Sequence, residues 1–84
     1  MKKFLVWIER KSTFSGDSIP AHRLFLQGLR EENLLFLAGG FPDQTGGAYV
    51  LLADSLDTAT AIRNKDPMYV EGACTYQIKE RNAQ

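Results

Sequence analysis

NLLFLAGGFPDQTGGAYVLLAD, residues 33–54, holds two short apolar runs, NLLFLAGG at 33–40 and GAYVLLAD at 47–54, separated by the loop-forming FPDQTGG. Runs of this length, bounded by Gly, Pro and Asp, are strand signals, and the segment between them is a loop or hairpin connection. Two consecutive strands in mid-chain decide the fold, because a helical pattern lies on each side of them. Upstream, Ser18 is placed to cap a helix with Pro20 in its first turn. Ala21, Leu24, Phe25, Gly28 and Leu29 then recur at helical spacing, which predicts a helix from about Ser18 to Glu32. Downstream, Ser55 caps LDTATAIRNK, where Leu56, Ala59 and Ile62 share one face and Asp57 in the first turn suits the helix dipole.

The outer segments complete the order. KFLVWIE, residues 3–9, is a strand apolar on both parities, with Phe4, Val6 and Ile8 on one and Leu5 and Trp7 on the other, so burial on both faces is expected. RKSTFSGD follows as a loop. ACTYQIKE, residues 73–80, has one strongly apolar face, as an edge strand does, and RNAQ at 81–84 reads as a frayed tail. The order βαββαβ predicts an α+β, ferredoxin-like sandwich: a four-stranded antiparallel sheet with two helices on one face. Three strands are apolar on both parities, so the second sheet face needs a cover, and a homodimer formed face to face through the sheet supplies it.

Eighty-four residues, 44% hydrophobic and 24% charged, describe a single domain spanning 1–84. The one cysteine rules out an intrachain disulfide, and an unpaired Cys74 points to a reducing, cytoplasmic setting. Ten basic and ten acidic residues are interspersed, which argues against nucleic acid or an anionic membrane as partner. FLVWI after MKK is too short for a signal-peptide core, and no apolar stretch approaches the roughly 20 residues of a membrane-spanning helix. Although βαββαβ is also the order of an RNA-recognition domain, Gly47 and Leu52 stand where that domain's third strand carries stacking aromatics. AGGFPDQTGG lies between two strands and lacks a following helix and Lys, so it is a flexible connection rather than a phosphate cradle. Cys74 has no second cysteine or histidine cluster near it, so a buried structural thiol and no metal site is expected.

Two residues carry candidate chemistry. In NKDPMYVEGA, residues 64–73, Asp66 precedes Pro67 as a helix cap does, and Gly72 ends the short helix that follows. A carboxylate has about four acceptor positions, so capping leaves room for a second task. His22, the only histidine, lies in the first turn of its helix, one position from the apolar stripe. Its imidazole is suited to general acid/base work if a carboxylate orients the ring and stabilises its charged form. Against such a pair stands a geometric expectation. If the two long helices run side by side in the same direction, His22 at the start of one and Asp66 after the end of the other lie at opposite ends. Contact then requires a shift in the RKSTFSGD loop, a turn-back at Asp-Pro, or a contribution from the partner subunit.

IPAH at 19–22, LLFLAGG at 34–40, GGAYVLL at 46–52, DSLDTATAI at 54–62 and KDPMYVEGA at 65–73 together resemble the YCII-related family of small dimeric α/β-barrel proteins. The resemblance covers nearly the whole chain, and its most specific elements are the helix histidine and the Asp-Pro followed by an aromatic and a Gly. It implies a fold similar to that of muconolactone isomerase and an enzyme that uses a His/Asp pair, as in a dehydrohalogenase of the family. Carried over, it makes His22 and Asp66 the catalytic candidates. Ile19 stands where the family often has Arg, and Gly39-Gly40-Phe41-Pro42 replaces a Gly-Pro; both bear on substrate binding. The terminal QIKERN lacks a frequent aromatic.

The combined expectation is a cofactor-independent homodimeric enzyme that moves a proton on a small organic molecule by elimination or isomerisation. His22 is the acid/base, Asp66 its orienting partner, and the loop around Gly39, Gly40 and Phe41 lines the pocket. The alternative is a non-catalytic dimeric module that binds a small ligand or a protein, with Asp66 only a cap. The distance from His22 to Asp66 separates the two.

Overall fold

The computed structural model describes residues 1–81. The elements are β1 (Lys2–Arg10), α1 (Ile19–Glu31), β2 (Leu35–Gly40), β3 (Gly46–Ala53), α2 (Leu56–Arg63), α3 (Pro67–Glu71) and β4 (Cys74–Arg81). They form one four-stranded sheet in the order β2-β3-β1-β4, with each neighbouring pair antiparallel. This is the α+β, ferredoxin-like arrangement expected, with the short α3 added to the two longer helices. Arg81, the first residue of the expected tail, still belongs to β4, and residues 82–84 lie outside the described residues.

The core forms on the helix-covered face. Phe4, Val6 and Ile8 of β1 point there with Tyr49 and Leu51 of β3, and all five are buried. Leu29 of α1, Ala59 of α2 and Met68 of α3 close over them. The opposite face of the sheet is open in the single chain. Trp7, on the other parity of β1, is 40% exposed, and Phe36 and Leu37 of β2 are about half exposed. Burial of β1 on both faces is therefore not met within one chain. The alternation of side chains sends Trp7 to the uncovered side, where its ring packs on Phe41 at a centroid distance of 4.7 Å.

Two of the expected caps form and one does not. Ser55, in extended conformation, accepts from the Thr58 N–H at 3.1 Å and starts α2. Asp66 accepts from the Met68 N–H at 3.0 Å and starts α3, which Gly72 ends in the left-handed region at φ 80°. Ser18 makes no side-chain cap bond: its backbone is already near-helical, with φ −89° and ψ −1°, and its hydroxyl oxygen is buried without a partner. An N-cap side chain reaches the N–H groups ahead only from a non-helical backbone. Here the Gly16 carbonyl accepts from the Ile19 N–H instead and turns the chain before Ser18.

The topology also corrects the expected direction of the helices. β1 and β3 are antiparallel neighbours, and each of the helices that follow them must bring the chain back along its own strand. α1 and α2 therefore run in opposite directions. The start of α1 follows the Arg10 end of β1, and the end of α2 leads through α3 to Cys74, which pairs with Arg10. His22 and Asp66 are thus brought to the same end of the sheet by connectivity alone.

At this end β3 begins with two glycines that the strand pairing demands. A Cβ on Gly46 would lie 1.8 Å from the Ile8 carbonyl oxygen, and one on Gly47 would lie 2.7 Å from that of Gly39. Both are distances that no real side chain tolerates, so β3 approaches β1 and β2 this closely only because the side chains are absent. The same absence leaves the sheet bare beneath the start of α1.

Candidate active site

The side chain of Asp66 is fully buried, and each of its oxygens accepts two hydrogen bonds. Pro67 holds the preceding residue in extended backbone, with φ −64° and ψ 122°, which aims the carboxylate back over the first turn of α3. Oδ1 accepts from the Met68 N–H at 3.0 Å and lies 2.7 Å from His22 Nδ1. Oδ2 accepts from the Tyr49 hydroxyl at 3.0 Å and the Tyr76 hydroxyl at 2.8 Å. Tyr49 on β3 lies opposite Val6, and Tyr76 on β4 lies opposite Ile8, so the two phenols reach Asp66 from the strands on either side of β1. All this lies within one chain.

The two tyrosines stay protonated. Burial raises the pKa of each phenol well above its ordinary value near 10, and the nearby Asp66 charge and the hydrogen bond to it act in the same direction. An ionised carboxylate only accepts, so with Asp66 charged the Met68 N–H and both phenols donate to it. An anionic Asp66 is acceptor only, which places the hydrogen on His22 Nδ1. Nε2 is then the nitrogen left with a lone pair in the neutral ring.

His22 lines a cavity of about 490 Å³ between α1 and the glycine-rich ends of β2 and β3. That volume lies in the range of small-molecule sites. Ile8, Ile19, Leu26 and Met68 give it apolar walls, and Gly46 and Gly47 leave space above the sheet. Gly39 and Gly40 line it as expected, but Phe41 does not: the chain turns after Gly40, and the Phe41 ring goes to Trp7 on the open face. Asp66 stands behind His22 and does not itself line the cavity.

Tyr49 and Tyr76 were not singled out from the sequence as site residues. Both lie on the core-facing parity of their strands, and a buried tyrosine needs a partner for its hydroxyl, which is a signal that the sequence carries. The identity of that partner depends on a register between distant strands. Among the described residues no group of three or more His, Cys, Asp or Glu side chains could hold a metal ion, and no helix is long and apolar enough to cross a membrane. Cys74 is buried, and burial pushes its thiol above the ordinary range.

Residues 3–82 match the YCII-related domain. The chain belongs to the YCII-related family. Among similar proteins is the uncharacterized protein YjpA of Bacillus subtilis (strain 168), 39% identical over 80 residues, which span 95% of this chain and 94% of that protein. Among solved structures, the 5-chloro-2-hydroxyhydroquinone dehydrochlorinase of Burkholderia phenoliruptrix AC1100, in complex with 2,5-dihydroxybenzoquinone, superposes with a TM-score of 0.78. The match covers 98% of this chain and 95% of that one at 18% identity, so this YCII-related chain and the dehydrochlorinase share the fold.

The tyrosine pair predicts how stability responds to alkali. A phenol whose folded pKa exceeds its unfolded value stabilises the fold fully below about pH 10, and that contribution is lost as pH rises beyond it. In urea unfolding, stability should fall above pH 10 by up to about 1.4 kcal/mol per pH unit for each of Tyr49 and Tyr76. Tyr49→Phe and Tyr76→Phe should each flatten that decline and cost about 1–3 kcal/mol at neutral pH, where one donor to the buried carboxylate is lost. A wild-type alkaline slope in both variants would contradict the network.

Proposed function

We propose that the chain is an enzyme that transfers a proton to or from carbon in a small organic molecule, with His22 Nε2 as the general acid/base. The observation that carries this reading is the 2.7 Å contact between His22 Nδ1 and Asp66 at the wall of a cavity of small-molecule size. A histidine without a task has no need of a fully buried carboxylate, and a carboxylate that only caps has no need of two tyrosines. The contact thus favours the enzyme over the non-catalytic binding module. The shared fold of the dehydrochlorinase supports the same choice.

In an elimination, Nε2 takes a proton from carbon. The C–H electron pair becomes the new C=C bond, and a leaving group such as chloride departs with the electrons of its own bond, for a net loss of HCl. In an isomerisation the same imidazolium returns the proton to another carbon. Asp66 holds the ring in the Nδ1–H tautomer and offsets the positive charge that develops on it. These steps ask for no cofactor beyond the side chains and water.

The test is chloride release from 5-chloro-2-hydroxyhydroquinone, whose ring must first take a proton from His22 at the chlorine-bearing carbon; chloride then departs as a phenol O–H gives up its proton and the ring becomes a hydroxyquinone, so solvent deuterium should appear at that carbon. His22→Gln should lower the rate by at least about 10²-fold, the usual share of a general acid/base. Wild-type turnover in His22→Gln would exclude the mechanism.

The open sheet face supports a homodimer as the assembled form. Trp7, Phe36 and Leu37 are large apolar side chains exposed there, and a second copy placed face to face would cover them and close the two sheets into a barrel. Light scattering at micromolar concentration should give twice the chain mass, and Trp7→Lys should shift the population to monomer. A monomeric wild type, or an unaffected dimer in the variant, would remove the sheet face as the interface.

A further inference from the structure

We infer that the cavity beside His22 takes a small organic anion, whose carboxylate or enolate oxygens are held by Arg23 and Arg30 of α1. This rests on the acid/base reading and adds the charge class of the substrate. His22, Arg23, Leu26, Gln27 and Arg30 fall on one face of α1, and all line the cavity. Arg10, at the end of β1, lines it too. Three of the chain's five arginines therefore meet there with none of its five lysines and no Asp or Glu side chain. In a chain with ten acidic and ten basic residues, that asymmetry is local to this cavity.

Among the described residues the guanidinium groups of Arg23 and Arg30 take part in no ion pair or side-chain hydrogen bond; the ion pairs there are Lys2–Glu80 and His22–Asp66. Arg10 lies 4.4 Å from the Phe14 ring centroid, which steadies it without neutralising it. Asp66 is taken up by its own four hydrogen bonds behind His22, and Glu31, next to Arg30 on α1, accepts from Gln27; neither lines the cavity.

Arginine suits the task for two reasons. Its planar fork matches the two oxygens of a carboxylate, and it keeps its charge at any working pH. Arg23 and Arg30 are two turns apart, roughly 10 Å along the axis, with the apolar Leu26 between them. A flat carbon skeleton can thus rest on Leu26 while its anionic oxygens meet the guanidinium groups. When His22 removes a proton from carbon, the negative charge moves onto a conjugated oxygen, and the same cations stabilise it as an enolate.

The probes are benzoate and its neutral counterpart benzamide, titrated into the isotope-labelled full chain and followed by NMR. Benzoate should give saturable shifts along the His22 to Arg30 face of α1, and benzamide should bind at least about tenfold more weakly. Arg23→Gln and Arg30→Gln should each weaken benzoate by about three- to tenfold and leave benzamide unchanged. Thermal melting should match wild type in both variants, because neither side chain is used by the fold. Equal binding of the two probes, no saturable shift with benzoate, or benzoate affinity unchanged in both variants would overturn the inference. Repeating the titration in His22→Gln separates it from the acid/base reading. Arginine-dependent binding alongside turnover that survives in His22→Gln would leave the anion site standing without that chemistry. Turnover that needs His22 without arginine-dependent binding would leave the chemistry standing and remove the anion site.

Discussion

A fully buried carboxylate is stable only if its charge is met from every side, and Asp66 is met by four hydrogen bonds from four elements of the fold. Its backbone starts α3. Its oxygens hold the imidazole of α1, the phenol of β3 and the phenol of β4. The loss of any one partner would leave a polar group facing a charge without water, so the site and the fold share the same constraint. This is why an Asp-Pro step that starts a helix of only five residues has consequences across the whole domain.

Much of this was legible in the sequence because it is local. Strand runs bounded by glycines, the Ser55 cap and the Asp66–Gly72 bracket each depend on residues a few positions apart, and each forms as read. The candidate pair came from a residue type, a position in a helix and a family resemblance. The parts that were not legible are those set by tertiary placement. Ser18 fails as a cap because the turn before it has already taken up helical geometry. The opposed directions of α1 and α2 follow from the pairing of β1 with β3, and that pairing alone removes the expected separation of His22 from Asp66. Tyr49 and Tyr76 could be recognised as phenols on the core-facing parity of their strands, but their common partner emerges only from the registers Val6 to Tyr49 and Ile8 to Tyr76.

The glycines link the fold to the cavity. Gly46 and Gly47 are required by the close approach of backbone to backbone, and the space they leave above the sheet becomes part of the cavity between α1 and the sheet. A residue type that weakens a strand interior is retained where both a tight pairing and an opening are needed. The two faces of the sheet thereby divide the roles. One carries core and cavity, and the other presents the exposed Trp7 and Leu37 side chains.

In the proposed mechanism the buried Asp66 carboxylate fixes the proton of His22 on Nδ1 and leaves Nε2 to exchange protons with a substrate. Long-range proton–nitrogen correlation of the His22 ring, recorded at a pH where the ring is neutral, reads this directly. The wild type should show the Nδ1–H tautomer, the reverse of the preference of free imidazole side chains, and Asp66→Asn should lose that bias. A neutral ring carrying its proton on Nε2 in the wild type would contradict it.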